Sequence, residues 1–158
     1  CDMKKETGMN TIIVYESTHH GNTKKLVDGI VKEYGVRAVK VEDAMEMDFS
    51  SCDLIGIASG VAFGKFYEKA ERFAAEKLPE NKKVFFLYTC GNDSGKYAAS
   101  VSAKAREKNC QVLGVYGCRG FDTFGPFKLV GGIAKGHPTQ EEIDGAVKFY
   151  GGLTIEGK

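Results

Sequence analysis

The stretch TIIVYESTHHGNTKKLVDGI, residues 11–30, decides the fold. It opens with Ile12-Ile13-Val14-Tyr15, an unbroken apolar run of strand length. It closes with Leu26, Val27 and Ile30 on one helical face and Lys24, Lys25 and Asp28 on the other, a pattern that predicts an amphipathic helix over 23–34. Between the two lies Ser17-Thr18-His19-His20-Gly21-Asn22-Thr23, a turn crowded with small hydrogen-bonding groups. A buried strand followed so closely by a helix reads as the start of a βαβ unit.

The rest of the chain repeats the alternation. Strands are expected over 36–41, 53–59 ("DLIGIAS"), 82–89 ("KKVFFLYT") and 112–118. Helices are expected over 66–78, closed by Pro79, and over 96–108. A last helix follows Pro138, where Thr139-Gln140-Glu141-Glu142 forms a capping box and Ile143, Ala146, Val147 and Tyr150 make a buried stripe. A loop joins the second and third strands. Strands apolar throughout need cover on both faces, and alternating helices supply it, so the sheet is parallel and doubly wound. Right-handed crossovers leave few topologies. Five strands suggest the order 2-1-3-4-5, with a ligand crevice outside the carboxyl ends of strands 1 and 3.

The polar turn at 17–23 falls at that switch point. A helix N-terminus offers free amides and a positive dipole end. Ser17, Thr18, Asn22 and Thr23 add side-chain donors, and Gly21 lets the backbone curl close. The turn suits a phosphate held without lysine or metal; the plainer alternative is a polar N-cap loop. Two further loops leave the same edge, "GVAFGKFY" at 60–67 and "CGNDSGKY" at 90–97. Each pairs glycines with an aromatic, which suits a flat heteroaromatic ring. Phe66 and Tyr67 serve equally well as packing for the following helix.

These loops resemble those of the flavodoxins. The family's phosphate loop, S/T-x-T-G-x-T after the first strand, is similar to "STHHGNT", and its C-G-D-S loop is similar to "CGNDS". The likeness runs from Thr11 to Leu153 and gives a flavodoxin-like domain between an N-terminal extension (1–10) and a short tail (154–158). It implies non-covalent flavin mononucleotide (FMN). The phosphate would lie on Ser17, Thr18, His19, His20, Gly21, Asn22 and Thr23. The ring would lie between Gly60, Val61, Ala62, Phe63 and Gly64 on one side and Cys90, Gly91, Asn92 and Tyr97 on the other. The departures are specific. The phosphate loop is one residue longer than the pattern. No Trp exists to stack on the ring, so Phe63 and Tyr97 take that role. Lys65 stands where carriers of this family are acidic. The segment "RGFDTFGPFKLVGG" (119–132) extends the chain beyond the fifth strand, as cover for the flavin edge or for the core. The resemblance implies a one-electron carrier with transient redox partner proteins, or an FMN-dependent oxidoreductase of the same fold acting on quinones, small molecules or protoporphyrinogen.

Composition narrows the alternatives. The chain has 158 residues and a net charge of +1, with basic and acidic residues interspersed. That gives no reason to expect nucleic acid or an acidic membrane surface as partner. "GVAFGKF" and "GNDSGKY" are each a residue short of a nucleotide P-loop and lack its Ser/Thr. Glu16 stands alone where a receiver domain needs an acidic cluster. His19, His20 and His137 have no ligand partners at metal spacing, so no metal is expected, and Cys90 has no visible base to make it a nucleophile. Cys1, Cys52, Cys90, Cys110 and Cys118 form no C-x-x-C pair, which reads as reduced thiols in the cytoplasm. The opening "CDMKKETGM" is open to three readings: an expression remnant, a native extension, or the mature end of a lipoprotein acylated at Cys1, which alone would bring in a membrane.

Overall fold

The computed structural model describes residues 10–16, 22–62, 65–90, 97–119 and 139–156. The elements run β1 (Thr11–Glu16), α1 (Asn22–Tyr34), β2 (Arg37–Lys40), α2 (Val41–Ala44), β3 (Leu54–Ala62), β4 (Lys65–Phe66), α3 (Glu68–Glu76), β5 (Lys83–Cys90), α4 (Ala99–Glu107), β6 (Gln111–Arg119) and α5 (Gln140–Glu156). The long strands are parallel and ordered β2-β1-β3-β5-β6, with β4 folded back on β3. Apart from that hairpin strand, this is the expected 2-1-3-4-5 order of a flavodoxin-like sheet.

Both faces of the sheet are covered, which explains why its central strands are apolar without alternation. On one face Ile13, Leu54, Ala58, Phe85 and Leu87 pack against Leu26, Val27 and Ile30 of α1 and Ala146 and Tyr150 of α5. On the other, Ile12, Val14, Ile55, Ile57, Val84, Phe86 and Tyr88 meet Val41 and Ala44 of α2, Phe73 and Ala74 of α3, and Val101 and Ala105 of α4. Burying each large side chain contributes roughly 1.5–3 kcal/mol. Tyr150 brings a polar tip into the core, and its hydroxyl donates to Thr11 Oγ1 at 2.8 Å.

Local signals set the element ends. Gly35, at φ 70°, closes α1 in the left-handed conformation, with its amide on Val31 O at 2.8 Å. The capping box forms: Glu142 N donates to Thr139 Oγ1 at 3.2 Å, and Thr139 N to Glu142 Oε1 at 2.7 Å. Between the second and third strands, where a loop was expected, the chain makes the single-turn helix α2. Helix α5 continues past Leu153 to Glu156, into the expected tail.

The largest departure lies after the third strand. Residues 60–62 were expected in a loop, but Gly60, Val61 and Ala62 belong to β3. Val61 pairs with Phe66 and Ala62 with Lys65. Phe66, expected to open the helix, is in β4. The reason is burial: its ring is 1% exposed and sits edge-on to Phe86 and Tyr88. The helix starts only at Glu68, after the β4 pairing of Lys65 and Phe66 and the extended Tyr67 (φ −56°, ψ 151°), whose amide donates to Ser59 Oγ at 3.0 Å and Gly60 O at 3.3 Å.

Candidate functional site

The register brings three strand ends together. Glu16 lies beside Ser59, and Gly60 lies beside Thr89. The segments that follow β1, β3 and β5 therefore start from one edge of the sheet, as the switch-point argument requires.

Thr23, in the first turn of α1, is 1% exposed. Its hydroxyl meets that of Thr89, near the end of β5, at 2.8 Å. This contact ties the start of α1 to the end of β5, across β3. Sequence reasoning missed Thr89. The available signal was its place one alternation beyond Phe85 and Leu87, which face α1. The first turn of α1 holds no acid and carries exposed Lys24 and Lys25. By contrast α3 begins with Glu68 and Glu71, and α5 with Glu141 and Glu142. Acids normally complement the positive end of a helix. An N-terminus without acids in its first turn is open to an external anion, although Lys24 itself is paired with Asp28 at 3.1 Å.

The aromatic side chains divide by role. The Tyr67 ring lies against Gly60, and a Cβ there would sit 2.7 Å from it. Gly60 is thus a glycine for steric reasons. Its backbone has no positive φ, which among the described glycines belongs to Gly35. The Gly60 carbonyl takes hydrogen bonds from Ser59 Oγ at 2.7 Å and Tyr67 N at 3.3 Å. Tyr97, expected to stack on a ligand, is half-buried and edge-on to Tyr88 at 5.6 Å between centroids. Val61 packs on the α3 side of the core. Asn22 opens α1, and Ala62 and Cys90 end β3 and β5. Ser17, Thr18, His19, His20, Gly21, Phe63, Gly64, Gly91 and Asn92 lie outside the described residues, as do residues 1–9 and the greater part of the 119–136 segment.

Glu16 is the unexpected member of this edge. It is 6% exposed, on the face shared with Ile12 and Val14. Burial raises its pKa above the ordinary glutamate value, Glu42 raises it further, and Lys69 opposes both. A carboxyl with a raised folded-state pKa favours the fold fully below its unfolded pKa, and that contribution is lost as pH rises through the folded value. Glu16→Gln should therefore melt higher than the parent at pH 8 and equal it near pH 4, in thermal melts without ligand. A parent advantage at pH 8 would contradict this.

Among the described residues no helix is long and apolar enough to cross a membrane. Residues 12–119 match the flavodoxin domain family. An uncharacterised protein of Methanocaldococcus jannaschii is 33% identical over 143 residues, covering 89% of this chain and 95% of that protein. Oxidised Flavodoxin 2 from Bacillus cereus has the same fold, with a TM-score of 0.65 at 18% identity, covering 94% of this chain and 99% of that one. A flavoprotein from Lactobacillus acidophilus, in complex with FMN, aligns with a TM-score of 0.57 at 18% identity over 69% of this chain and 93% of its own. With the sheet order, the edge and the sequence match in agreement, the chain belongs to the flavodoxin domain family, whose cofactor is FMN.

Proposed function

We propose that this protein binds FMN non-covalently at the carboxyl edge of the sheet and carries electrons, one at a time, between transient redox partner proteins. The observation that carries the reading is the start of α1: an acid-free, lysine-bearing first turn, pinned by Thr23 to Thr89. Family membership and the FMN complex of the Lactobacillus acidophilus relative support the choice of anion. The phosphate would rest on residues 17–23, and the ring between the 60–64 and 90–92 segments, with Phe63, Tyr97 and Tyr67 as its aromatic neighbours.

When bound, FMN supplies the redox chemistry, and the chain's part is to hold it and to set its potential. Backbone amides of Cys90, Gly91 and Asn92 would face the negative charge that reduction places on the ring. Lys65, exposed on β4, adds a positive charge at the rim. Lys65→Glu reverses the charge, so it should make the second reduction potential more negative by about 80 mV, twice the effect of about 1 kcal/mol per charge. A potentiometric titration that finds no shift removes Lys65 from this role.

Reconstitution tests the whole reading. Apoprotein should turn yellow with micromolar FMN, and a reductive titration should resolve two separate one-electron stages. Material that stays colourless with added FMN ends the proposal. The near-neutral charge supports a second reading, because carriers of this type steer to partners by acidic surfaces. In that reading the protein is an FMN-dependent oxidoreductase, and NADH or NADPH alone would reduce it rapidly. The reduced thiols of Cys52 and Cys110 support a reducing, cytoplasmic setting.

A further inference from the structure

We infer that Ser59 is a positioning residue for the flavin: its buried hydroxyl fastens the base of the β3–β4 hairpin and so holds the Tyr67 ring over Gly60 as a fixed wall for the flavin ring. The inference rests on the FMN reading and deepens it. Val61 pairs with Phe66, so Gly60 and Tyr67 stand opposite each other at the foot of the hairpin. Ser59 is 0% exposed. Its hydroxyl donates to Gly60 O at 2.7 Å and accepts from Tyr67 N at 3.0 Å, and the same amide reaches Gly60 O at 3.3 Å. On its other side Tyr67 O accepts Ala70 N at 3.0 Å and Glu71 N at 3.1 Å, the first bonds of α3. The Tyr67 backbone is thus held from both ends, which fixes the direction in which its ring projects.

Alternation along β3 gives the side on which that ring lies. Ala58 packs on the α1 and α5 face and Val61 on the other. Ser59 therefore shares the side of Val61, and Gly60 the side of Ala58. A Cβ on Gly60 would lie 2.7 Å from both Tyr67 Cζ and the Tyr67 hydroxyl, so the ring stands on the α1 side. Thr89 is the register partner of Gly60 on β5, and its hydroxyl points to the same face, where it meets Thr23 of α1. The Tyr67 ring and the Thr23–Thr89 pair thus occupy one face at one level of the edge, roughly one strand spacing of 5 Å apart.

Aromatic cover of a strand glycine is by itself ordinary packing. The neighbouring threonines make this instance different. Their two buried hydroxyls bring two hydrogens, and their 2.8 Å contact uses one. The other has no acceptor among the described residues, and buried donors are seldom left so. An acceptor on a bound ligand would complete the pair, and that ligand would lie beside Tyr67. The half-buried Tyr67 ring offers it a flat aromatic surface. Only glycine at position 60 lets the ring stand there, and only the Ser59 hydroxyl joins the two strands of the hairpin beneath it.

The test is fluorescence titration of apoprotein with FMN and with riboflavin, which has the same ring but no phosphate. The variants are Ser59→Ala, Gly60→Ala and Tyr67→Leu, with thermal melts of each. The methyl group of Gly60→Ala meets the far end of Tyr67, so the ring swings aside at little cost in stability. Each variant should bind both flavins about fivefold more weakly, and by the same factor for each flavin. In a Tyr67→Leu background Ser59→Ala should cost no further affinity, because Ser59 acts through Tyr67. A loss confined to FMN would lie at the phosphate and overturns the proposal. Unchanged affinities in variants that melt lower overturn it as well, as does a full second loss when Ser59→Ala is added to Tyr67→Leu. A parent that takes FMN but no riboflavin has no ring wall to lose; that result overturns the proposal and leaves the FMN reading standing. Failure of both flavins to bind the parent at micromolar concentration overturns the FMN reading and this proposal with it. Should Ser59→Ala not fold, Ser59→Cys, which keeps a weaker donor in place, replaces it in every arm with a smaller expected loss.

Discussion

Gly56→Ala lowers the stability of the protein by about 3 kcal/mol, the upper part of the usual range for overpacking a core. In thermal melts that is a fall of roughly 6–12 °C for a chain of this size. Gly56 lies in β3, with Ile55 and Ile57 buried on either side of it. A Cβ at Gly56 would sit 2.4 Å from Phe85 Cζ and 2.8 Å from both Cε atoms, so it would strike the face of the ring over its Cζ end. Phe85 is 0% exposed, on the α1 and α5 face, and its ring is also held by Phe149 and Tyr150. The ring therefore has no free direction in which to retreat. A second substitution checks this cause. Gly56→Ala combined with Phe85→Leu should cost clearly less than the sum of the single changes, because the smaller side chain removes the clash and the methyl group fills part of the space the ring leaves. Strictly additive losses would show that Phe85 is not what excludes the methyl group.

Thr23→Val weakens FMN binding by about tenfold, the loss of roughly one good hydrogen bond to a charged group. It also lowers stability by about 1–2 kcal/mol, because the buried Thr89 hydroxyl loses its partner. The two effects separate in the double variant. Thr23→Val with Thr89→Val removes both hydroxyls together and should recover most of the stability, since matched apolar groups replace a matched polar pair. It should not recover the affinity. Denaturant melts read the first quantity, and equilibrium titration with FMN reads the second. If affinity returns along with stability, Thr23 merely holds α1 in place and does not itself meet the phosphate.

The fold could be read from the sequence because it rests on local pattern. Ile12-Ile13-Val14 and the Leu26, Val27, Ile30 stripe carry strand and helix periods that no tertiary contact has to supply. The same holds for the capping box at Thr139. Parallel pairing then follows from strands apolar on both faces, and the strand order from crossover handedness. The candidate edge was legible for the same reason: the segments after the first, third and fourth long strands must share an edge once the sheet is parallel.

Contacts between residues distant in sequence were not legible. The β3–β4 hairpin forms because Phe66 gains burial against Phe86 and Tyr88, and that gain exceeds the helix preference of its own segment. Tyr67 and Phe66 were equivalent candidates in the sequence. Packing sends one over Gly60 and the other into the core. Thr89 is an ordinary strand residue until α1 brings Thr23 against it. Glu16 reads as a polar residue ending a strand, and only the closing of α2 and α3 over it turns it into a buried acid. The chain alone determined the order of elements and the edge where a ligand can sit, because hydrophobic period and turn chemistry act over a few neighbouring residues. Tertiary structure decided which side chains meet at that edge and which charges lose their water, because burial and desolvation exist only once separate elements have packed together.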